Sequence, residues 1–181
     1  MDFEYLAENG PVLLVPRVFG DERGYFMETF RQNEFEAHCG RYEFVQDNQS
    51  LSQRRVLRGL HYQLNHPQGK LVRVIMGRVY DVAVDLRASS PDFGRCYGVV
   101  LDNIEHKSLW VPPGFAHGFY VLSDKAEFVY KCTAYYDPAD ERSLIWNDPT
   151  VNVDWPLEGE IPILSAKDEK GLPWDKADKY S

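Results

Sequence analysis

The run Arg58-Gly59-Leu60-His61-Tyr62-Gln63 sets a fixed cation and a titratable imidazole about a glycine. An imidazole changes charge between pH 5 and 8, so it can take or give a proton at neutral pH. Strict strand alternation would send Arg58 and His61 to opposite faces. A bulge at Gly59 would let both reach one cavity. A solvated arginine beside a hydrogen-bonded core histidine would suit the same run. Three further polar groups interrupt apolar rows on other strand-like segments. Lys70 heads a row with Val72, Val74 and Met76, His117 shares a face with Phe119 and Val121, and Tyr130 lies in the row Phe128, Tyr130, Cys132, Ala134. If those rows line a barrel interior, an ammonium, an imidazole and a phenol converge there. Asp168 follows Ser165 at the spacing of a helix cap and gains chemical meaning only beside a histidine.

The stretch Pro112-Pro113-Gly114-Phe115-Ala116-His117-Gly118 is a rigid turn feeding a strand, a pattern found in cupin barrels whose histidine often binds metal. A metal site wants two or three histidines plus a carboxylate. The matching earlier segment offers His61 and Gln63 where a metal cupin has His-x-His, and this leans against metal. His38, His66 and His106 have polar or loop-like neighbours and read as surface residues.

The elements that must position these groups are mostly strands. Segments 12–18, 55–63, 70–76, 78–86, 94–101, 108–111, 117–123 and 126–136 are short, rich in Val, Tyr, Phe and Leu, and punctuated by Gly, Pro, Asn and Asp. Gly77 separates two of them with almost no loop, which predicts a tight hairpin. Helix signals are confined to 33–39, ending at Gly40, and to a start at Ser165. Many short strands without intervening helices predict an all-β antiparallel sandwich or barrel.

With 181 residues, 44% of them hydrophobic, the chain suits a single domain spanning 1–181 that hides roughly 70% of its unfolded surface. Twenty Lys and Arg against 28 Asp and Glu leave a net charge of −8, a poor match to nucleic acid or an anionic membrane. Three cysteines without a CxxC pair point to a reducing compartment, and no stretch reads as a secretory signal or a membrane span. A cytoplasmic protein is expected.

Taken together, the motifs resemble the dTDP-4-dehydrorhamnose 3,5-epimerase family. The matching stretches include Phe19-Gly20-Asp21-Glu22-Arg23-Gly24, Phe44-Val45-Gln46-Asp47-Asn48, Val56 to Gln63, Gln68-Gly69-Lys70, Gly114-Phe115-Ala116-His117-Gly118-Phe119, Glu127-Phe128-Val129-Tyr130-Lys131 and Leu164-Ser165-Ala166-Lys167-Asp168. They run in family order from about residue 10 to residue 170.

The resemblance implies a cupin-type antiparallel jelly-roll barrel with a few short peripheral helices. The segment from about 160 to 181 would pack on the barrel. It also implies a homodimer that exchanges N-terminal strands, and neither cofactor nor metal. The implied reaction inverts C3 and C5 of dTDP-4-dehydro-6-deoxy-D-glucose to give dTDP-4-dehydro-L-rhamnose. By resemblance His61 is the base, Asp168 its orienting carboxylate, Lys70 the cation at the enolate oxygen and Tyr130 the acid on the opposite face. Arg58 and His117 would lie near the ketone or pyrophosphate. Gln46, Asp47, Asn48 and Lys167 match nucleotide- and phosphate-contacting positions, Tyr136 an aromatic that stacks on the base, and Glu141 a further binding position. Arg23, Phe26 and Glu28 match positions reaching the thymidine, from the partner subunit.

Tyr25, Met27 and Gln49 depart from the residues common in the family, which bears on fine specificity and leaves the reaction class intact. Competing readings are a C3- or C5-only epimerase or a 3,4-ketoisomerase on a related dTDP-4-keto-6-deoxysugar, a non-catalytic sugar-binding cupin, and a metal-dependent cupin oxygenase. The joint presence of His61, Asp168, Lys70 and Tyr130 speaks against the binder, which needs no base and acid together.

Overall fold

A computed structural model describes residues 1–181. Thirteen strands follow one another: β1 Asp2–Tyr5, β2 Val12–Val15, β3 Val18–Asp21, β4 Gly24–Met27, β5 Gln46–Gln53, β6 Leu57–Gln63, β7 Lys70–Met76, β8 Arg78–Asp85, β9 Cys96–Asp102, β10 Ser108–Val111, β11 Phe115–Val121, β12 Lys125–Cys132 and β13 Glu141–Ser143. One helix, α1 (Gln32–Cys39), and a single 3₁₀ turn at Asp168–Lys170 are the helical elements. No helix is long and apolar enough to cross a membrane.

The strands form two antiparallel sheets, in the orders β1-β2-β10-β7-β12-β5 and β13-β6-β11-β8-β9, with β3–β4 as a separate two-stranded ribbon. Their inner faces meet as a cupin-type jelly roll. Alternation sorts the side chains. In β8, Val79 and Ala83 join the core between the sheets, while Val82 and Val84 face a second core outside. That outer core is covered by the chain from Leu144 onward, including Trp155 and Ala177, so β11 is buried on both faces. The C-terminal segment is tied down by bridges of Ile163 to Val56, Leu172 to Leu144 and Tyr180 to Arg87. A third, aromatic core of Phe35, Trp110 and Leu71 seats α1 on the outside of the six-stranded sheet.

Two local expectations fail for identifiable reasons. No hairpin forms at Gly77, because β7 and β8 belong to different sheets. Gly77, at φ +83°, instead turns a corner so tight that a Cβ would collide with the Lys125 carbonyl. A corner between sheets and a hairpin within one leave the same local pattern. The predicted 12–18 strand is divided at Pro16 and Arg17 into β2, in the large sheet, and β3, in the ribbon.

Candidate active site

The inner faces of β5, β6, β7, β11 and β12 exchange apolar for polar residues around a cavity of about 430 Å³, within the range of small-molecule sites. Two outer grooves, of about 460 and 660 Å³, hold no histidine. Alternation in β7 and β12 brings Lys70 and Tyr130 inward, as their rows predict, above a floor of Phe128 stacked on Phe119 at 4.3 Å.

β6 reaches the same cavity through an irregularity. Its Arg58 pairs with Phe119 and its His61 with His117, so three steps on β6 oppose two on β11. This is the bulge expected at Gly59. Gly59 takes φ +128° and lies so near β11 that a Cβ would sit 2.6 Å from the Gly118 Cα. Leu57, Leu60 and Tyr62 therefore point outward while Arg58 and His61 both point inward.

His61 meets Asp168, with Nε2 2.8 Å from Oδ1. The approach has ion-pair distance, yet the ring N–H is not aligned with the oxygen for a hydrogen bond. The buried carboxylate is held from other directions. The Gly59 N–H donates to Oδ1 at 3.0 Å and the Ser165 hydroxyl to Oδ2 at 2.5 Å, while the Asp168 N–H returns a bond to Ser165 Oγ at 3.3 Å. The spacing of Ser165 and Asp168 thus produces a cap-like lock, followed only by the 3₁₀ turn and not by the longer helix expected. Burial alone would raise the Asp168 pKa, but His61, Ser165 and the Gly59 N–H hold it far below the ordinary carboxylate range. Burial lowers the His61 pKa, and the Asp168 contact offsets only part of that. The result is a neutral imidazole beside an ionised carboxylate.

Lys70 makes no ion pair, and burial lowers its pKa while Cys132, Glu141 and Asp81 oppose the shift. Burial raises the Tyr130 phenol, which keeps it protonated. Arg58 Nε donates to Ser52 Oγ at 3.0 Å, which leaves its terminal nitrogens for a ligand. His117 Nε2 lies 2.9 Å from the fully buried Asp81. Gln46 and Asn48 line the cavity, as do Tyr136, Glu141 and Lys167 at its rim, where Tyr136 donates to Glu141 at 2.8 Å and Lys167 pairs with Glu141.

Four predicted residues stand elsewhere. Asp47 falls on the outer face of β5, because alternation cannot turn three consecutive residues inward, and it pairs with Lys131 at 3.0 Å. Arg23, bonded to Asp21, and the exposed Phe26 belong to the β3–β4 ribbon, and Glu28 pairs with Arg31; none lines this chain's cavity. Asp81 and Ser52 were missed. Asp81 stands between the apolar Val79 and Ala83 on its inward row, which was an available signal, whereas the row of Ser52 (Gln46, Asn48, Ser50) is polar throughout and offers none. Gln63 does not act as a second ligand to His61. Its amide donates to the His66 and Tyr135 carbonyls and accepts from the Asp137 N–H. No three His, Cys, Asp or Glu side chains cluster as a metal site.

A base with its carboxylate, a cation, a phenol and phosphate-capable donors thus share one cavity. A family model described as dTDP-4-dehydrorhamnose 3,5-epimerase matches residues 6–176. The dTDP-4-dehydrorhamnose 3,5-epimerase of Pseudomonas aeruginosa is 53% identical over 176 residues, 97% of either chain. The crystal structure of a dTDP-6-deoxy-D-glucose-3,5-epimerase from Legionella pneumophila Philadelphia 1, in complex with dTDP-4-keto-L-rhamnose, is similar at TM-score 0.93 and 47% identity, over 98% of this chain and 94% of that one. A 3'-monoepimerase from Streptomyces bikiniensis, in complex with dTDP-quinovose, is similar at TM-score 0.84 and 34% identity, over 91% and 83%.

Proposed function

The chain belongs to the dTDP-4-dehydrorhamnose 3,5-epimerase family and is an isomerase of that kind, and we propose that His61 and Tyr130 carry its proton transfers. The substrate is dTDP-4-dehydro-6-deoxy-D-glucose and the product dTDP-4-dehydro-L-rhamnose. The observation that carries the reading is the meeting of His61–Asp168, Lys70 and Tyr130 in one cavity.

Protons alpha to the C4 ketone are acidic because the carbanion is an enolate. His61 removes one, and the electron pair moves onto the ketone oxygen. Lys70 stabilises that oxygen, where a fixed charge in a cavity with little water acts strongly. The Tyr130 phenol gives a proton to the opposite face of the same carbon, so the centre inverts. His61 is then protonated and Tyr130 deprotonated, and exchange with water at the cavity mouth resets both. Asp168 stabilises the imidazolium between these steps. Arg58, His117, Gln46, Asn48 and Lys167 suit the ketone and diphosphate, with Tyr136 against the thymine and Glu141 holding the rim. No step calls for a metal or cofactor.

The 181 residues act as one domain in a homodimer, in which Arg23, Phe26 and Glu28 would serve the partner's thymidine site. Three unpaired cysteines fit a reducing cytoplasm.

The test is an NMR time course with dTDP-4-dehydro-6-deoxy-D-glucose in deuterated water. Deuterium should enter C3 and C5. His61→Asn should abolish uptake, and Tyr130→Phe should slow inversion more than exchange. Uptake at one carbon would assign a mono-epimerase instead. Absence of uptake by a protein that still binds dTDP would overturn the catalytic reading.

A further inference from the structure

We infer that Asp81 is a positioning residue for the reaction, acting through His117 as Asp168 acts through His61. The inference rests on the reading of His117 as a group that meets substrate.

His61 and His117 occupy paired positions on adjacent strands, β6 and β11. Residues directly opposite on an antiparallel pair have Cβ atoms about 4.5–5.5 Å apart, so two imidazoles enter the cavity side by side. Each turns its Nε2 to a buried carboxylate from another element. Asp168 comes from the C-terminal segment. Asp81 comes from the middle of β8, with Oδ1 at 2.9 Å and Oδ2 at 3.1 Å from His117 Nε2. Phe128 stacks on His117 at 6.2 Å and helps set its ring plane.

Asp81 is a costly residue to keep. It is fully buried, its inward neighbours on β8 are Val79 and Ala83, and His117 is its only side-chain partner. A buried carboxylate is expensive unless paired, and an apolar pair of similar volume would serve the fold as well or better. The cost makes sense in what the pair does to the other nitrogen. Fixing the proton on Nε2 leaves Nδ1, which has no protein hydrogen bond, to face the cavity lined by His117. There it can share a proton with an oxygen of the sugar while Asp81 stabilises the imidazolium, as a carboxylate does for other working histidines. His61 and His117 would then divide the labour, one at carbon and one at oxygen.

Asp81→Asn keeps the shape of the side chain and removes its charge. The first readout is independent of turnover: nitrogen-15 NMR of the ring should find His117 protonated at Nε2 in the wild type, with that preference lost in Asp81→Asn. A wild-type His117 with bare Nε2 and protonated Nδ1 overturns the inference, even if the variant does not fold. The second readout is kinetic. Loss of the carboxylate behind a metal-bound histidine costs about 10–100-fold in activity, and a fall in kcat of that order, with KM within about twofold, is the result expected here. The double variant Asp81→Asn/His117→Asn should be no slower than His117→Asn alone, because Asp81 acts only through that ring. Additive losses, or a loss confined to KM, would overturn it. A wild type without turnover that still showed the Nε2 preference would sink the epimerase reading and leave the dyad standing.

Discussion

At the scale of the residue, opposing influences act on the protonation of His61, and burial is the largest of them. Burial disfavours the imidazolium, and Asp168 favours it. Burial wins, so the folded pKa lies below the ordinary value of about 6.5. The sign matters twice. The neutral, proton-accepting form persists to pH values somewhat below 6.5, so the acid limb of kcat/KM should fall below that value. Folding stability is affected in the same direction: the unfolded chain binds the extra proton first, so stability declines as pH drops from about 6.5 to the folded pKa. Asp168 is held so far below its usual range that it stays ionised throughout this window, and the limb belongs to His61. A pH–rate profile of the wild type, with the fold followed by circular dichroism, checks this. An acid limb centred above 6.5 would show that the carboxylate outweighs burial. The inward placement of Lys70, His117 and Tyr130 was legible from sequence, because a polar residue on an apolar row announces itself. Asp168 was not legible without the resemblance, since nothing in local spacing says which histidine a distant carboxylate will meet. Asp81 carries the same signal, between the buried Val79 and Ala83 on its row, but alternation alone does not say that His117 of the next strand will meet it.

At the scale of the element, the site depends on one irregular strand. Without the extra residue at Gly59, alternation would turn His61 out of the cavity whenever Arg58 pointed in. The bulge was readable because a glycine stood between two chemically useful residues. The corner at Gly77 was misread because periodicity reports faces and not which sheet a strand joins. Gly59 also donates its N–H to Asp168, so the bulge positions both halves of the dyad. Gly59→Ala would place a Cβ 2.6 Å from the Gly118 Cα and 2.9 Å from the His117 carbonyl, at a φ that favours glycine. Backbone strain of this kind costs about 2 kcal/mol, or about 4–8 °C in Tm for a chain of this size. The catalytic effect should exceed the stability effect, because a displacement of about 1 Å at a reacting group can cost about 100-fold. Thermal melting and steady-state kinetics on the same sample measure both. A melting loss with unchanged kcat/KM would mean that the bulge shapes the fold but not the dyad.

At the scale of the whole molecule, the chain leaves two apolar surfaces uncovered. The β3–β4 ribbon joins neither sheet and exposes Phe19, Tyr25 and Phe26, the last at 70%. An isolated two-stranded hairpin is marginal in water. The outer face of the six-stranded sheet exposes Leu51, Ile75 and Met76. A two-fold dimer would let each ribbon lie on the other copy, since an isologous contact uses the same surfaces twice. That arrangement would also explain why Arg23, Phe26 and Glu28 stand away from this chain's own cavity: their target would be the partner's. Hybrid dimers separate the two geometries. Let one subunit carry His61→Asn and the other Arg23→Ala, coexpressed with different tags and purified through both. If Arg23 acts across the interface, the subunit with an intact His61 receives an intact Arg23 from its neighbour. One site per dimer is then whole, and the hybrid should recover about half of wild-type kcat with a wild-type KM, while each parent homodimer stays defective. If Arg23 acts within its own chain, both sites of the hybrid carry a lesion and it should be no better than the Arg23→Ala parent. A chain that ran as a monomer by light scattering, with full activity, would remove the shared site altogether.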